Sequence, residues 1–214
     1  MQQTVNIESS MQGFVPETAP EWSMVKDHLF LKTVNYKRNK AFVDGVPHLR
    51  VSEELAQLVY MRCKANEDSA YYHARGIGWP LLEKWRKKPG EVFDTARRSM
   101  LAGNPPVFMK LGEILGIPED DTGLWCLTSS DKFFGFSFIF FDECIEMIKE
   151  KLGDGFYVIP SSIHEAIVFS DKLDIPPDAV KQTILHVNET IVGDADYLSD
   201  SLYHYSDDTG FIEI

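Results

Sequence analysis

Apolar residues in the first 80 positions fall in short alternating stretches that are separated by polar or turn-forming residues. A period of two over about four to eight residues is typical of a β-strand with one buried face. The pattern predicts strands at 28–36, 55–64 and 70–77. Because the last two strands flank the polar loop 66–69, we expect them to form a β-hairpin.

The middle of the chain has a helical pattern instead. Residues 79–85 predict a short helix, and Pro89 opens a second one whose apolar residues recur at core-facing spacing as far as Met100. The sequence GNPP at 103–106 predicts the end of that helix. Residues 107–115 predict a third helix.

Short strands return in the C-terminal half. The sequence predicts a strand at 124–128, a second one in the aromatic-rich run 134–141, and two more at 156–159 and 164–169. The last two are joined by the four-residue turn 160–163, which favours antiparallel pairing. A closing hairpin is expected from 202–205 and 211–214.

Two amphipathic helices lie between these strands. Asp142 is placed to cap the first helix, and Asp174 the second. In the second helix an apolar face is predicted to run from Val180 through Ile184 to Ile191.

Paired short strands with intervening helices predict an α+β fold. We expect a mostly antiparallel or mixed sheet built from short strand pairs, with helices packed mainly on one face. Strict alternation of strand and helix is absent, which argues against a doubly wound parallel sheet. Residues 1–25 contain glycine and proline without periodicity, so we expect a loosely ordered arm there and a single domain over 26–214.

The composition is that of a globular protein. The chain has 214 residues, of which 44% are apolar and 25% charged. Three cysteines, Cys63, Cys126 and Cys144, form no closely spaced pair, which favours reduced thiols and a cytoplasmic location. The sequence shows no signal peptide, and no stretch reaches the ~20 apolar residues that span a bilayer. We therefore expect a soluble protein that is not inserted in a membrane.

The net charge of −12 lies entirely in the C-terminal third, where residues 139–214 contain 16 acidic and four basic residues. Such a surface repels nucleic acid and anionic lipid, so no direct nucleic-acid binding is expected. Three interpretations remain open: simple solubility, a face that binds a basic protein partner, and mimicry of nucleic acid. Mimicry would require one continuous face of carboxylates, for which the candidates are Asp178, Glu189, Asp194, Asp196, Asp200, Asp207 and Asp208.

The segment PSSIHE at 160–165 is the most distinctive short motif, because it combines hydroxyl, imidazole and carboxylate groups. A hydrolase would need Ser161 or Ser162 within hydrogen-bond reach of His164, and a carboxylate that orients the imidazole. Neighbouring residues of a strand face opposite sides, so His164 and Glu165 should diverge. The main interpretation is a tight turn, and a ligand site or a hydrolase stays as an alternative.

Other chemistries lack their residue patterns. Gly76 and Gly78 form a lone GxG, which is too little for a phosphate-binding loop. The six histidines are dispersed, and His186 with Glu189 is expected on a solvated helix face, so no metal or cofactor is predicted. The middle helices carry a cluster of basic residues. We expect a solvated helix face there rather than a site for single-stranded nucleic acid, and pairing with the acidic C-terminal third is a further alternative.

Four segments of the C-terminal half resemble an uncharacterised bacterial family, the domain of unknown function 5688. They are LWCLTS (124–129), FYVIPSSIHEAIVF (156–169), VNET (187–190) and LSDSLYHYSDDTG (198–210). The resemblance extends over most of residues 46–214 and does not account for residues 1–25. It implies the α+β fold and carries no activity, cofactor or partner. The family's recurring residues, as they stand here, are Pro160, Ser161, Ser162, His164, Glu165, Ser199, Asp200, Ser201 and Tyr203.

The sequence thus leaves the function open among named alternatives. We expect a non-enzymatic accessory or interaction protein with an acidic C-terminal surface, and we keep the hydrolase and the nucleic-acid mimic as alternatives. Segments 160–165 and 199–203 are expected to lie close together and to form any site that exists. The candidate binding residues are Ser161, Ser162, His164, Glu165, Asp200 and Tyr203.

Overall fold

The computed structural model of the protein describes residues 19–64, 72–117 and 122–214. It confirms the α+β class, with two antiparallel sheets and the helices packed around them. The predicted hairpin loop at 66–69 lies outside the described residues. No helix in the described ranges is both long enough and apolar enough to cross a membrane.

The first sheet is built around one long strand. Strand β3 pairs with β1 on one edge and with both β2 and β4 on the other, and all pairings are antiparallel. The three predicted strands are confirmed as β1, β3 and β4, and β3 pairs with β4 in the expected antiparallel way. The four strands are β1 (Leu29–Asn35), β2 (His48–Arg50), β3 (Leu55–Lys64) and β4 (Tyr72–Gly76).

Five helical segments lie in the described residues of the first half of the chain. The longest of them, α4, covers the free edge of β1, where the backbone N–H of Leu31 points to the Met100 sulfur at 3.0 Å. Leu82, Trp85 and Val92 bury their side chains in the main core. The helices are α1 (Trp22–Val25), a 3-10 turn (Lys26–His28), α2 (Lys40–Val43), α3 (Trp79–Trp85) and α4 (Pro89–Gly103).

The second sheet has six strands in the order β10-β9-β7-β8-β6-β5. Its central hairpin, β7 with β8, and its closing hairpin, β9 with β10, are paired as predicted. The strands are β5 (Pro106–Lys110), β6 (Trp125–Ser129), β7 (Gly155–Ile159), β8 (Glu165–Ser170), β9 (Tyr203–Ser206) and β10 (Gly210–Glu213).

Two predicted elements around this sheet are wrong. Residues 107–115 were expected to be one helix, but β5 pairs with β6 and only α5 (Leu111–Leu115) is helical. The aromatic run 134–141 was expected to be a strand, but Gly135–Phe140 forms a 3-10 helix with Phe136 and Phe138 fully buried. An apolar run of this length does not by itself distinguish a strand from a buried helical segment.

A helix lies on each face of the second sheet. In β7, Phe156 packs in the main core together with α6 (Asp142–Leu152), whereas Tyr157 packs in a separate smaller core with α7 (Pro177–Thr190). Adjacent strand residues point to opposite faces, so the two helices cover opposite sides.

The helix ends differ in detail from the prediction. Asp142 is the first helical residue rather than the cap, and α7 begins at Pro177, three residues after Asp174. Val180 and Ile184 are buried as predicted, but Ile191 lies beyond the end of α7 and is 77% exposed.

The buried 3-10 helix joins the two sheets. Ser137 Oγ lies 2.9 Å from Thr33 Oγ1 of β1, and Gln57 Nε2 of β3 donates to the Ser137 carbonyl at 3.2 Å. The helix also contacts β6 and β8 of the second sheet. The polar groups of Thr33, Gln57 and Ser137 are therefore hydrogen-bonded within the core.

Part of the predicted N-terminal arm lies outside the described residues, namely 1–18. Within residues 19–25, Trp22 packs on Trp85 with ring centroids 5.3 Å apart, and Trp85 Nε1 donates to the Pro20 carbonyl at 2.8 Å. Ala19 and Val25 are buried in the main core. Residues 19–25 are thus packed against α3.

Candidate functional site

The two serines of the 160–165 turn point towards Glu165. Ser162 Oγ donates to Glu165 Oε1 at 2.7 Å, and Ser161 Oγ lies 3.4 Å from the same oxygen. Ser162 Oγ also accepts a hydrogen bond from the backbone N–H of His164 at 3.0 Å. Such hydroxyl-to-backbone bonds are the ordinary chemistry of a tight turn.

His164 directs its ring away from both serines. Its Nδ1 accepts a hydrogen bond from the backbone N–H of Phe134 at 3.2 Å, so the neutral imidazole carries its proton on Nε2. That Nε2 faces Asp196 Oδ1 at 3.5 Å. His164 and Glu165 diverge as the strand alternation predicts, and no serine–imidazole pair is formed in this arrangement.

The loop that receives His164 is tightly held. Lys132 and Phe134 both have left-handed backbone conformations, with φ of 61° and 57°. Ser129 Oγ accepts from the Phe133 N–H at 2.8 Å and donates to the carbonyl of the same residue at 2.9 Å. Left-handed conformations in non-glycine residues are strained and persist only where the surroundings impose them.

The same loop presents two phenylalanines to His164. Phe133 is 55% exposed and meets the imidazole edge-on at a centroid distance of 5.3 Å. Phe134 lies 5.5 Å from the imidazole and stacks on Phe30 of β1 at 5.0 Å. Phe134 therefore links the 160–165 turn to the first sheet.

Lys32, in the middle of β1, is only 2% exposed. Its Nζ lies 5.3 Å from the Phe134 ring centroid and 5.7 Å from that of Tyr60. Burial lowers the pKa of Lys32 to about 8, and the Asp196 carboxylate opposes this shift through space. We refer to Lys32, Tyr60, Phe134, His164 and Asp196 as the Lys32 cluster.

The 199–203 segment has a different set of contacts. Buried Ser199 donates through Oγ to Glu54 Oε2 at 2.6 Å, and Lys37 pairs with the other oxygen of Glu54 at 2.9 Å. Asp200 accepts from Asn188 Nδ2 at 2.8 Å. These bonds fasten the segment to the first sheet and to α7.

The two candidate segments are neighbours in the fold but keep separate partners. The backbone N–H of Ile163 donates to the Asp196 carbonyl at 3.0 Å, and Val158 of β7 pairs with Tyr203 of β9. Tyr203 is buried, with its hydroxyl 3.3 Å from Ser52 Oγ. The structure thus places the predicted residues in three groups: the serines with Glu165, His164 with Asp196, and the 199–203 segment around Glu54 and Ser52.

A family model, described as a family of unknown function (DUF5688), matches residues 2–207. The chain belongs to this family. The match confirms the resemblance seen in the sequence and also covers most of residues 1–25. No curated protein and no solved structure matches the chain. Because DUF5688 is of unknown function, the membership assigns no activity.

Metal-binding and thiol chemistry are poorly supported by the described side chains. Within the described ranges, no group of three or more His, Cys, Asp or Glu side chains is placed to hold a metal ion. Cys63, Cys126 and Cys144 are free thiols. Burial raises the pKa of Cys126 and of Cys144 to about 12, which disfavours the reactive thiolate.

Lys32, the central residue of the Lys32 cluster, was not identified from the sequence. Lys32 lies within a predicted strand, where a period of two places it on the same face as Phe30 and Val34. A lysine that alternates with buried apolar residues is the signal that identifies it. No sequence pattern indicates that Phe134 packs on Lys32, since this contact depends on how the two sheets pack together.

Proposed function

We propose that the protein is a non-enzymatic accessory or interaction protein of the cytoplasm, which binds a basic partner through an acidic stripe on α7. The stripe consists of Asp178, Gln182, Leu185 and Glu189, which recur at helical spacing and are all exposed. The buried Val180 and Ile184 lie on the other side of the helix, so this face of α7 points to solvent. The exposed stripe is the observation on which the proposal depends.

The charge balance of the C-terminal third supports this proposal. Some of its carboxylates are paired within the chain, as when Arg97 binds Glu143 or Lys149 binds Asp207. Others are exposed and have no ion-pair partner among the described residues, and therefore present uncompensated charge. They are Glu150, Asp154, Asp174, Asp178, Glu189 and Asp208. Complementary charge on a partner would accelerate and orient docking.

The contacts of the 160–165 turn favour this role over a hydrolase. Ser161 and Ser162 direct their hydroxyls to Glu165, and His164 uses both ring nitrogens in other contacts. A serine hydrolase needs the imidazole within hydrogen-bond reach of the nucleophile. The hydrolase would therefore require a rearrangement of this turn.

The location of the carboxylates favours a docking stripe over mimicry of nucleic acid. Asp178 and Glu189 belong to α7, whereas Asp207 pairs with Lys149 of α6 on the opposite side of the second sheet. A mimic needs carboxylates along one continuous face. The free thiols fit a reducing compartment, which is why the cytoplasm is part of the proposal.

Charge reversal on the stripe tests the proposal. Immobilised protein should capture a basic partner from cell lysate at about 0.05 M salt and release it at about 0.5 M, where screening acts over a few ångströms. The double variant D178K/E189K should lose that partner. The matched control is E53K/D94K, which changes the net charge equally at two exposed acids outside the C-terminal third. The proposal requires a protein that the control variant still captures and the stripe variant does not. If the lysate contains no such protein, the stripe is only a solvated surface.

A further inference from the structure

The ammonium group of Lys32 is a buried cation that has neither a hydrogen-bond acceptor nor an ion-pair partner among the described residues. Within the described residues its Nζ makes no hydrogen bond and no ion pair, and its closest neighbours are the rings of Tyr60 and Phe134. No fully enclosed side-chain nitrogen or oxygen in those ranges lacks a hydrogen-bond partner. The Lys32 amine, although the residue is 2% exposed, therefore keeps a narrow contact with solvent.

The buried polar side chains of Thr33, Asn35 and Gln57 in the first sheet are hydrogen-bonded. Thr33 bonds Ser137, and Gln57 donates to the carbonyl of the same serine. Asn35 Nδ2 donates to the Leu198 carbonyl at 2.6 Å. Buried polar groups are normally hydrogen-bonded, so the Lys32 amine, which is not, calls for a functional explanation.

The surroundings of the amine suit an uncharged ligand better than an anion. A bound phosphate or carboxylate needs several converging donors, but Lys32 is faced by the two aromatic rings and by the field of Asp196, a carboxylate. The Nε2–H of His164 is already directed to Asp196. What the site offers is one amine lone pair in a poorly hydrated, aromatic-walled position.

We propose that the side-chain amine of Lys32 is a nucleophilic site that binds a small aldehyde or ketone as an imine. The neutral nitrogen attacks the carbonyl carbon, a C–N bond forms, and a proton moves from nitrogen to the oxygen to give a carbinolamine. Loss of that hydroxyl with the second nitrogen-bound proton releases one water and leaves the imine. The step consumes no oxidant and no reductant.

The electrostatics of the site support this chemistry. At pH 7 an amine with a pKa of about 8 has a fraction of neutral, nucleophilic form about three hundredfold larger than one at the ordinary value of 10.5. Desolvation by an apolar pocket is a recognised way of activating a lysine. Phe134, one wall of the site, is held by the hydrogen bond from its N–H to His164, which gives His164 a positioning role. This inference does not depend on the acidic stripe.

Competitive reductive alkylation of the intact protein tests whether Lys32 forms an imine. Acetaldehyde is supplied with cyanoborohydride, which donates hydride to the imine carbon and traps the adduct as a secondary amine, and each lysine is followed by peptide mass spectrometry. At pH 7 we expect Lys32 to be modified at least about tenfold faster than the exposed Lys110, with a rate that levels off near pH 8 to 9. The K32R variant should lose only this adduct.

Two outcomes would overturn the proposal. One is modification of Lys32 in the folded protein at a rate equal to or below that of Lys110. The other is an advantage of Lys32 that persists in about 8 M urea, because reactivity that survives unfolding does not come from the site. Both are measured on the wild-type chain and so do not depend on whether a variant folds.

Discussion

Ser199 Oγ donates a hydrogen bond of 2.6 Å to Glu54 Oε2, which joins two residues 145 positions apart in the chain. Glu54 precedes β3 of the first sheet, and Ser199 precedes β9 of the second. Since Lys37 occupies the other oxygen of Glu54, this carboxylate holds the closing segment against the first sheet from two sides. The segment around Ser199 is thus explained as a fastening between sheets.

Replacing Ser199 with alanine should destabilise the protein by about 2 kcal/mol, because a hydrogen bond to a charged, half-buried group is lost. Burial would raise the pKa of Glu54, but the bonds from Ser199 and Lys37 outweigh it and the net shift is downward. The stabilisation that the ionised Glu54 contributes is therefore present above the ordinary pKa of 4.5 and is lost as the pH falls through the lowered pKa of the folded state. Urea unfolding at pH 7 and pH 3 measures both effects.

A double-mutant cycle with Glu54→Gln isolates the pair. The loss caused by S199A should be markedly smaller in the E54Q background than in the wild type. Equal losses in the two backgrounds would mean that the hydrogen bond contributes nothing to stability.

Replacing Lys32 with methionine should stabilise the protein. The folded state lowers the pKa of Lys32 from 10.5 to about 8, so the unfolded chain binds more protons between these values. The penalty of burying the charge, about 3 kcal/mol, is complete below pH 8 and disappears as the pH rises towards 10.5. K32M should therefore gain about 2 to 3 kcal/mol at pH 7 and less than half of that at pH 10, measured by urea unfolding.

The matched control for this prediction is Lys110→Met, which removes an exposed charge from β5. It should change the stability by no more than about 0.5 kcal/mol at either pH. A K32M variant that is less stable than the wild type at pH 7 would show that the ammonium has a stabilising partner. A residue that lowers stability and is nevertheless present is a reasonable place to look for function.

The hairpins of this fold could be predicted from the sequence because their signals are local. The pairs β3–β4, β7–β8 and β9–β10 each combine short apolar stretches with a turn. The segment 106–110 could not be recognised, since its apolar positions fit a helical period and its strand form depends on pairing with β6. Long-range pairing likewise decides that the strands form two sheets rather than one.

The candidate site was only partly predictable for the same reason. The turn chemistry of Ser161 and Ser162 follows from neighbours within the segment, so it could be expected. The partners of His164 are Phe134 and Asp196, each about 30 residues away, and nothing local indicates them. Side-chain identity predicted which groups were available, and the packing of the sheets decided which of them meet.

A methyl group at Gly135 should not be tolerated. An added Cβ would lie 2.4 Å from Ser129 N, 2.6 Å from Thr128 Cα and 2.7 Å from the His164 carbonyl oxygen, all of them backbone atoms that cannot move aside independently. G135A should destabilise the protein by about 3 kcal/mol or more. In α4 nothing lies within 4 Å of an added Cβ at Gly90, so G90A should be neutral or slightly stabilising, by up to about 1 kcal/mol. Thermal unfolding of the two variants measures this difference, and equal melting temperatures would contradict the prediction.

The cysteines should differ in reactivity in the folded protein. Burial raises the pKa of Cys126 and Cys144 to about 12, so at pH 7.5 their thiolate fraction is about a thousandfold below that of a thiol at the ordinary value of 9.0. Cys63 is half-buried, so its thiol is more accessible than the other two, although burial raises its pKa as well. Alkylation with iodoacetamide, followed by peptide mass spectrometry, should modify Cys63 first and the other two only on addition of urea. Early modification of Cys126 or Cys144 in buffer would show that the core opens there.

Trp22 tests whether residues 19–25 belong to the folded domain. Its ring packs on Trp85 at 5.3 Å and lies under the Lys87 ammonium at 5.5 Å, and the Trp85 indole N–H is bonded to Pro20. W22A removes these contacts and should lower the free energy of unfolding by about 2 kcal/mol, whereas W22F, which keeps an aromatic ring there, should lose less than half of that. W22A should also expose Trp85 to solvent, which shifts its fluorescence to longer wavelength before the global unfolding transition. If W22A instead unfolds at the same urea concentration as the wild type, residues 19–25 behave as the loosely attached arm that the sequence predicted, and the domain begins near residue 26.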